Sequence, residues 1–78
     1  MPRLSAEQLR NCARERIADG RLPVAHPRAM NAGYGSGAIC CVCDRAIEAH
    51  EVEYEVSDPR GGRPLNFHLT CHTSWQLE

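Results

Sequence analysis

Cys40-Cys41-Val42-Cys43 and, after 24 intervening residues, His68-Leu69-Thr70-Cys71 are the stretches whose reading decides how this chain folds. With Cys40 and Cys43 as the outer pair, the first is C-x2-C, which puts two thiols on one tight turn. The second is H-x2-C, which puts an imidazole and a thiol on one face of a helical turn. Three thiolates and one imidazole suit a tetrahedral Zn2+ with every position filled. The spacing therefore predicts one structural zinc held by Cys40, Cys43, His68 and Cys71, with the C-terminal half folded around it.

Other donors lie close by. Cys41 adjoins Cys40 and cannot easily share an ion with it, so it reads as a bystander. His72 adjoins Cys71 but points about 100° further round a helix. His68 is favoured, and His72 stays open as the alternative. His50 precedes an acidic stretch and reads as solvent-facing, His26 lies between Ala25 and Pro27, and Cys12 reads as a small core residue. A redox C-x2-C expects a thioredoxin-like βαβ context, which the pattern lacks. Covalent haem needs C-x-x-C-H, and position 68 is His rather than Cys. A catalytic zinc keeps one position open beside a general base. Only Asp44 adjoins the donors, and it reads as a cap of the turn or a partner of Arg45. No enzyme is expected.

The rest of the composition explains why a metal is useful. A chain of 78 residues is one domain at most, and only 5% of it is aromatic, with one Trp and one Phe. So small a core commonly needs a metal, disulfide or partner as a staple. The net charge of −1 gives no reason to expect nucleic acid or a membrane surface. The charge is unevenly placed, however: residues 1–39 are basic and residues 40–78 acidic. Every basic residue is Arg and none is Lys, which points to a GC-rich, bacterial genome. No apolar run approaches the ~20 residues of a membrane span, and no signal-peptide core is visible. The expected location is the cytoplasm, where five cysteines stay reduced and metal binding outranks disulfides.

Residues 5–19 read as a helix, with Ser5 as N-cap, Gln8 at the capping-box position and Gly20 as the stop. Leu9, Ala13 and Ile17 form one narrow apolar stripe. Residues 20–37, with Pro23, Pro27, Gly33, Gly35 and Gly37, read as a flexible linker. Their G-x-G-x-G pattern lacks the preceding strand and following helix of a phosphate loop. From Glu51 to Val56 the pattern alternates: Val52, Tyr54 and Val56 on one face, Glu51, Glu53 and Glu55 on a solvated acidic face. Asp58-Pro59-Arg60-Gly61-Gly62 is a turn, and Leu65, Phe67 and Leu69 alternate again, giving a hairpin. A short helix follows with Thr70 as its N-cap, and Trp75 is placed to cover the metal.

Cys40-x2-Cys43, a hairpin and His68-x2-Cys71 opening a helix together resemble a treble-clef zinc fold. The spacing resembles the first zinc module of a LIM domain over residues 38–78. A LIM domain carries two modules, and this pattern supplies one, with a slightly longer insert around residues 58–64. The resemblance implies a small α+β metal-stabilised domain: residues 1–37 as N-terminal helix and Gly-rich linker, residues 38–78 as a treble-clef-like module with its knuckle, hairpin and short C-terminal helix. It also implies zinc on Cys40, Cys43, His68 and Cys71. The whole chain is similar to small zinc-binding proteins of proteobacteria, a likeness that brings no activity with it. The expected role is a protein-interaction module, with no small-molecule substrate and no membrane. The alternative is a small nucleic-acid-binding regulator using Arg3, Arg10, Arg14 and Arg21 on phosphates.

Overall fold

A computed structural model describes residues 4–24 and 30–78. Its elements in order are helix α1 (Ala6–Ala18), strands β1 (Met30–Tyr34), β2 (Val52–Val56) and β3 (Leu65–His68), and helix α2 (Leu69–Gln76). The strands form one antiparallel sheet in the order β1-β2-β3. Arg3, His26 and Pro27 lie outside the described residues.

Helix α1 starts and stops where its sequence says it should. Ser5 accepts the Gln8 N–H, and the Gln8 side chain accepts the Ser5 N–H, a complete capping box. Gly20 follows the Asp19 C-cap with φ of +84°, a conformation that costs glycine little. Leu9 and Ala13 bury the predicted stripe, and α1 packs against α2. The outward Arg10 and Arg14 both donate to the Glu78 carboxylate, at 2.8 and 2.9 Å. The helix therefore docks on the C-terminal half. Arg16 is an exception to the stripe: it is buried and paired with Asp44.

Over the described part of residues 20–37, residues 20–24 and 30–37, the chain is more ordered than the flexible linker expected there. Met30–Tyr34 pairs with β2 along its whole length, Met30 opposite Val56 and Tyr34 opposite Val52. Residues 20–23 are also tied down. The Arg60 guanidinium donates to the carbonyls of Gly20 and Arg21, Trp75 Nε1–H donates to the Pro23 carbonyl at 2.9 Å, and Leu22 is buried. Gly35 is held by close approach: a Cβ there would lie 2.0 Å from the Glu48 carbonyl oxygen. Its N–H donates to the Glu51 carbonyl. A glycine run reads as slack from sequence alone, yet here it admits a neighbouring backbone.

The hairpin forms as expected, with Tyr54 opposite Phe67 and Val56 opposite Leu65. Val56, Leu65 and Phe67 face the core, with Tyr54 packed against it. The acidic face is not uniformly solvated. Glu53 is buried and accepts hydrogen bonds from the Ser36 N–H and hydroxyl and from Asn66 Nδ2, at 2.8–3.0 Å. The N-cap of α2 is His68 rather than Thr70, and its side chain does not cap the helix because it is engaged elsewhere. The core centres on Trp75 stacked on Phe67, ring centroids 4.8 Å apart, with Val42 and Ile47 from the segment before β2.

The Glu53 network has a measurable consequence. Burial raises its carboxyl, but the bonds from Ser36 and Asn66 outweigh that and hold it below its ordinary value. A lowered folded-state pKa gives stability that is present above the ordinary carboxylate range and lost as pH falls through the lowered value. Glu53→Ala should cost about 2 kcal/mol at neutral pH, the scale of hydrogen bonds to a charged acceptor. Urea unfolding of wild type and variant should show that gap closing in acid. A constant or widening gap would contradict the network.

Candidate metal centre

The first pair of thiols sits on a small hairpin of its own. The Ile47 N–H donates to the Ala38 carbonyl at 2.8 Å and the Cys40 N–H to the Arg45 carbonyl at 2.9 Å, with Ile39 bridged to Ala46. The chain reverses through Asp44, whose φ is +61°, a left-handed conformation that aspartate tolerates better than most residues. The Asp44 N–H closes the turn on the Cys40 carbonyl. The Cys41 N–H then donates to the Asn66 carbonyl at 2.9 Å. This bond holds the turn against β3, two residues before His68. The second donor pair arrives as β3 ends and α2 begins, so Cys71 falls in the first turn of that helix.

These elements bring Cys40, Cys43, His68 and Cys71 together. One ligand atom from each lies within 4.8 Å of all the others. Zn–S near 2.3 Å and Zn–N near 2.0 Å, at a tetrahedral angle, put sulfur and nitrogen about 3.5 Å apart. His68 Nδ1 lies 3.4 Å from Cys43 Sγ and 3.8 Å from Cys71 Sγ, on either side of that value. The group can hold one metal ion, and its donor chemistry fits zinc.

The electrostatics favour a cation. Hydrogen bonding from Cys71, with backbone N–H groups of Cys43, His68 and Val42, outweighs burial and makes Cys40 the readily ionised thiol. Cys71 is pushed up by its bond to Cys40, by burial and by the charges of Cys40 and Cys43. Burial raises Cys43, with the Cys40 charge adding to it. Three sulfurs this close cannot all carry charge unless something positive sits among them. A coordinated divalent ion reverses that balance and deprotonates each thiol.

The other candidate donors fall elsewhere. His72 is buried in an aromatic cluster, its ring centroid 5.0 Å from Tyr54 and 5.5 Å from Phe67, and burial lowers its pKa. Between the two histidines, the structure brings His68 to the sulfurs. Cys41 is half-buried with its thiol pushed up by burial, Cys12 packs against the core, and all five cysteines are free thiols. His50 is exposed beside Glu48. Trp75 lies in the core rather than along the hollow of about 320 Å3 beside Cys43, His68 and Cys71, which Leu4, Leu9, Val52 and Leu69 border.

Two residues matter more than their sequence context suggested. Asp44 pairs with Arg16 of α1, not Arg45, and so ties the Cys40–Cys43 turn to the N-terminal helix. Glu51, read as part of a solvated face, lies 3.3 Å from His68 Nε2. Nothing local in the sequence marks either contact, since the partners are 28 and 17 positions apart. Among the described residues no helix is long and apolar enough to cross a membrane. Comparison with protein-family models, with curated proteins and with solved structures gives no match.

Proposed function

We propose that this is a zinc-binding protein whose single Zn2+, on Cys40, Cys43, His68 and Cys71, is a structural part of the fold, and that the domain works by binding another protein. The observation that carries the zinc reading is the convergence of four donor atoms within 4.8 Å of one another. Four protein donors leave no position for substrate or an activated water, so the role is structural rather than catalytic. The turn, the β2–β3 hairpin and a helix supplying the last thiol support reading the arrangement as treble-clef-like, LIM-like at one site. Free thiols in such a centre fit a reducing, cytoplasmic setting.

Support for a protein partner comes from β1. All five of its residues are exposed, and none is charged or proline. Met30, Ala32 and Tyr34 share a face with Val52, and Tyr34 is 80% exposed. An edge strand without charge or proline is a template for strand addition. Nucleic acid is the weaker reading, because Arg10 and Arg14 are paired with Glu78 and Arg21 with Asp19.

The test has two arms. Chelation should abolish cooperative unfolding of the protein, and a cooperative fold that survives complete metal removal would overturn the structural role. In a pulldown, the zinc-loaded protein should retain a partner that a Met30→Ser, Tyr34→Ser variant loses. Retention of labelled DNA or RNA at low salt, with no protein partner, would favour the alternative instead.

A further inference from the structure

We propose that Glu51 is the positioning residue of the metal centre: its carboxylate holds the proton on Nε2 of His68 and so presents Nδ1 to the metal. This inference rests on the zinc reading above and adds which nitrogen binds and what turns it. Either imidazole nitrogen can ligate a metal, and the choice is set by the hydrogen bond made by the other. In this fold the two nitrogens face opposite ways. Nδ1 looks toward Cys43 and Cys71, at 3.4 and 3.8 Å, while Nε2 looks toward Glu51 Oε1 at 3.3 Å.

The carboxylate is itself held in place. Glu51 Oε1 accepts the Glu48 N–H at 3.0 Å, and the Glu51 N–H donates to the Glu48 carbonyl at 2.9 Å. The Glu51 carbonyl accepts the Gly35 N–H, so the loop after β1 braces the same residue. The side chains of His68 and Glu51 are only 14% and 20% exposed, so water screens their contact weakly. A carboxylate behind a ligating histidine fixes its tautomer and ring orientation. Glu51 does this from the turn just before β2, leaving the four donor positions untouched.

The test compares zinc-loaded wild type, Glu51→Ala and Glu51→Gln. Zinc affinity is read by competition with a chromophoric chelator, and the His68 tautomer by nitrogen-15 NMR. Wild type should show zinc on Nδ1 with the proton on Nε2. Glu51→Ala should weaken zinc about 10–100-fold, the usual effect of losing such a partner. Glu51→Gln keeps an acceptor oxygen and should restore part of that loss. If the alanine variant does not fold, the glutamine variant decides: its affinity should still fall measurably, and its Nε2–H signal should move.

Three results would overturn the inference. One is zinc on Nε2 in the wild-type protein. Another is affinity within about twofold of wild type in the folded variants, far less than a second-sphere partner contributes. The third is lowered stability with an unmoved Nε2–H signal, which would mean that Glu51 only caps its turn. Wild type that binds no zinc would remove the zinc reading itself, whereas S3N1 zinc on the wrong nitrogen removes this inference alone.

Discussion

Cys71→Ala is expected to leave a chain that neither retains zinc nor unfolds cooperatively. Cys71 is 2% exposed and supplies one of the three sulfurs from the first turn of α2. Zinc contributes on the order of 10–16 kcal/mol in zinc-finger peptides. Small domains are stable by only about 5–15 kcal/mol in total. Losing even half of the metal's contribution therefore exceeds what a core of this size can replace. Two controls separate the metal from the packing. Cys41→Ser should keep the zinc, because the fold uses the N–H of Cys41, bonded to the Asn66 carbonyl. His72→Phe should also keep it, because His72 serves the aromatic cluster with Tyr54, Phe67 and Trp75. Metal content per chain and thermal unfolding, measured together, check all three variants. A Cys71→Ala protein that folds cooperatively with a full complement of zinc would refute the assignment.

Gly35→Ala should be the most damaging alanine substitution among the glycines. Its Cβ would meet the Glu48 carbonyl oxygen at 2.0 Å and the Ile47 carbonyl oxygen at 2.4 Å. Both obstacles are backbone, so no side-chain rotation relieves them. The clash must push apart the loop after β1 and the segment that carries Ile47 into the core. Overpacking costs typically 1–3 kcal/mol where side chains can give. With backbone on the other side, a loss of about 3 kcal/mol or more is expected. Gly33→Ala is the natural contrast: nothing lies within 4 Å of its Cβ. That change should be neutral, or stabilising by up to about 1 kcal/mol through the unfolded chain. Urea midpoints of the two zinc-loaded variants decide the matter, and equal midpoints would contradict the close approach.

The contrast between these glycines also shows what a sequence can and cannot disclose here. The α1 boundaries were legible because Ser5, Gln8 and Gly20 act within one turn of the backbone they cap. The β2–β3 hairpin was legible because alternation over Val52–Val56 and Leu65–His68 is a local pattern. The cluster of Cys40, Cys43, His68 and Cys71 was legible because C-x2-C and H-x2-C each act locally. β1 was missed because Met30–Tyr34 owes its conformation to β2, and the alternating glycines that begin with its Gly33 advertise flexibility that pairing removes. Glu53 was misplaced because an acid on the outer side of an alternating strand is normally solvated. The loop carrying Ser36, folded over it, and Asn66 of β3 change that. Arg16–Asp44 and Glu51–His68 are likewise contacts between distant segments. Each becomes visible only once the hairpin has brought its strands to the metal turn.

The central claim is that three sulfurs and one nitrogen of this chain close around a single zinc. Zinc-edge X-ray absorption on the purified protein, with metal content measured on the same sample, tests it most directly. The predicted result is one zinc per chain, with three sulfurs near 2.3 Å and one nitrogen near 2.0 Å and no oxygen in the first shell. A water oxygen in that shell, or a ratio of metal to protein far below one, would contradict it.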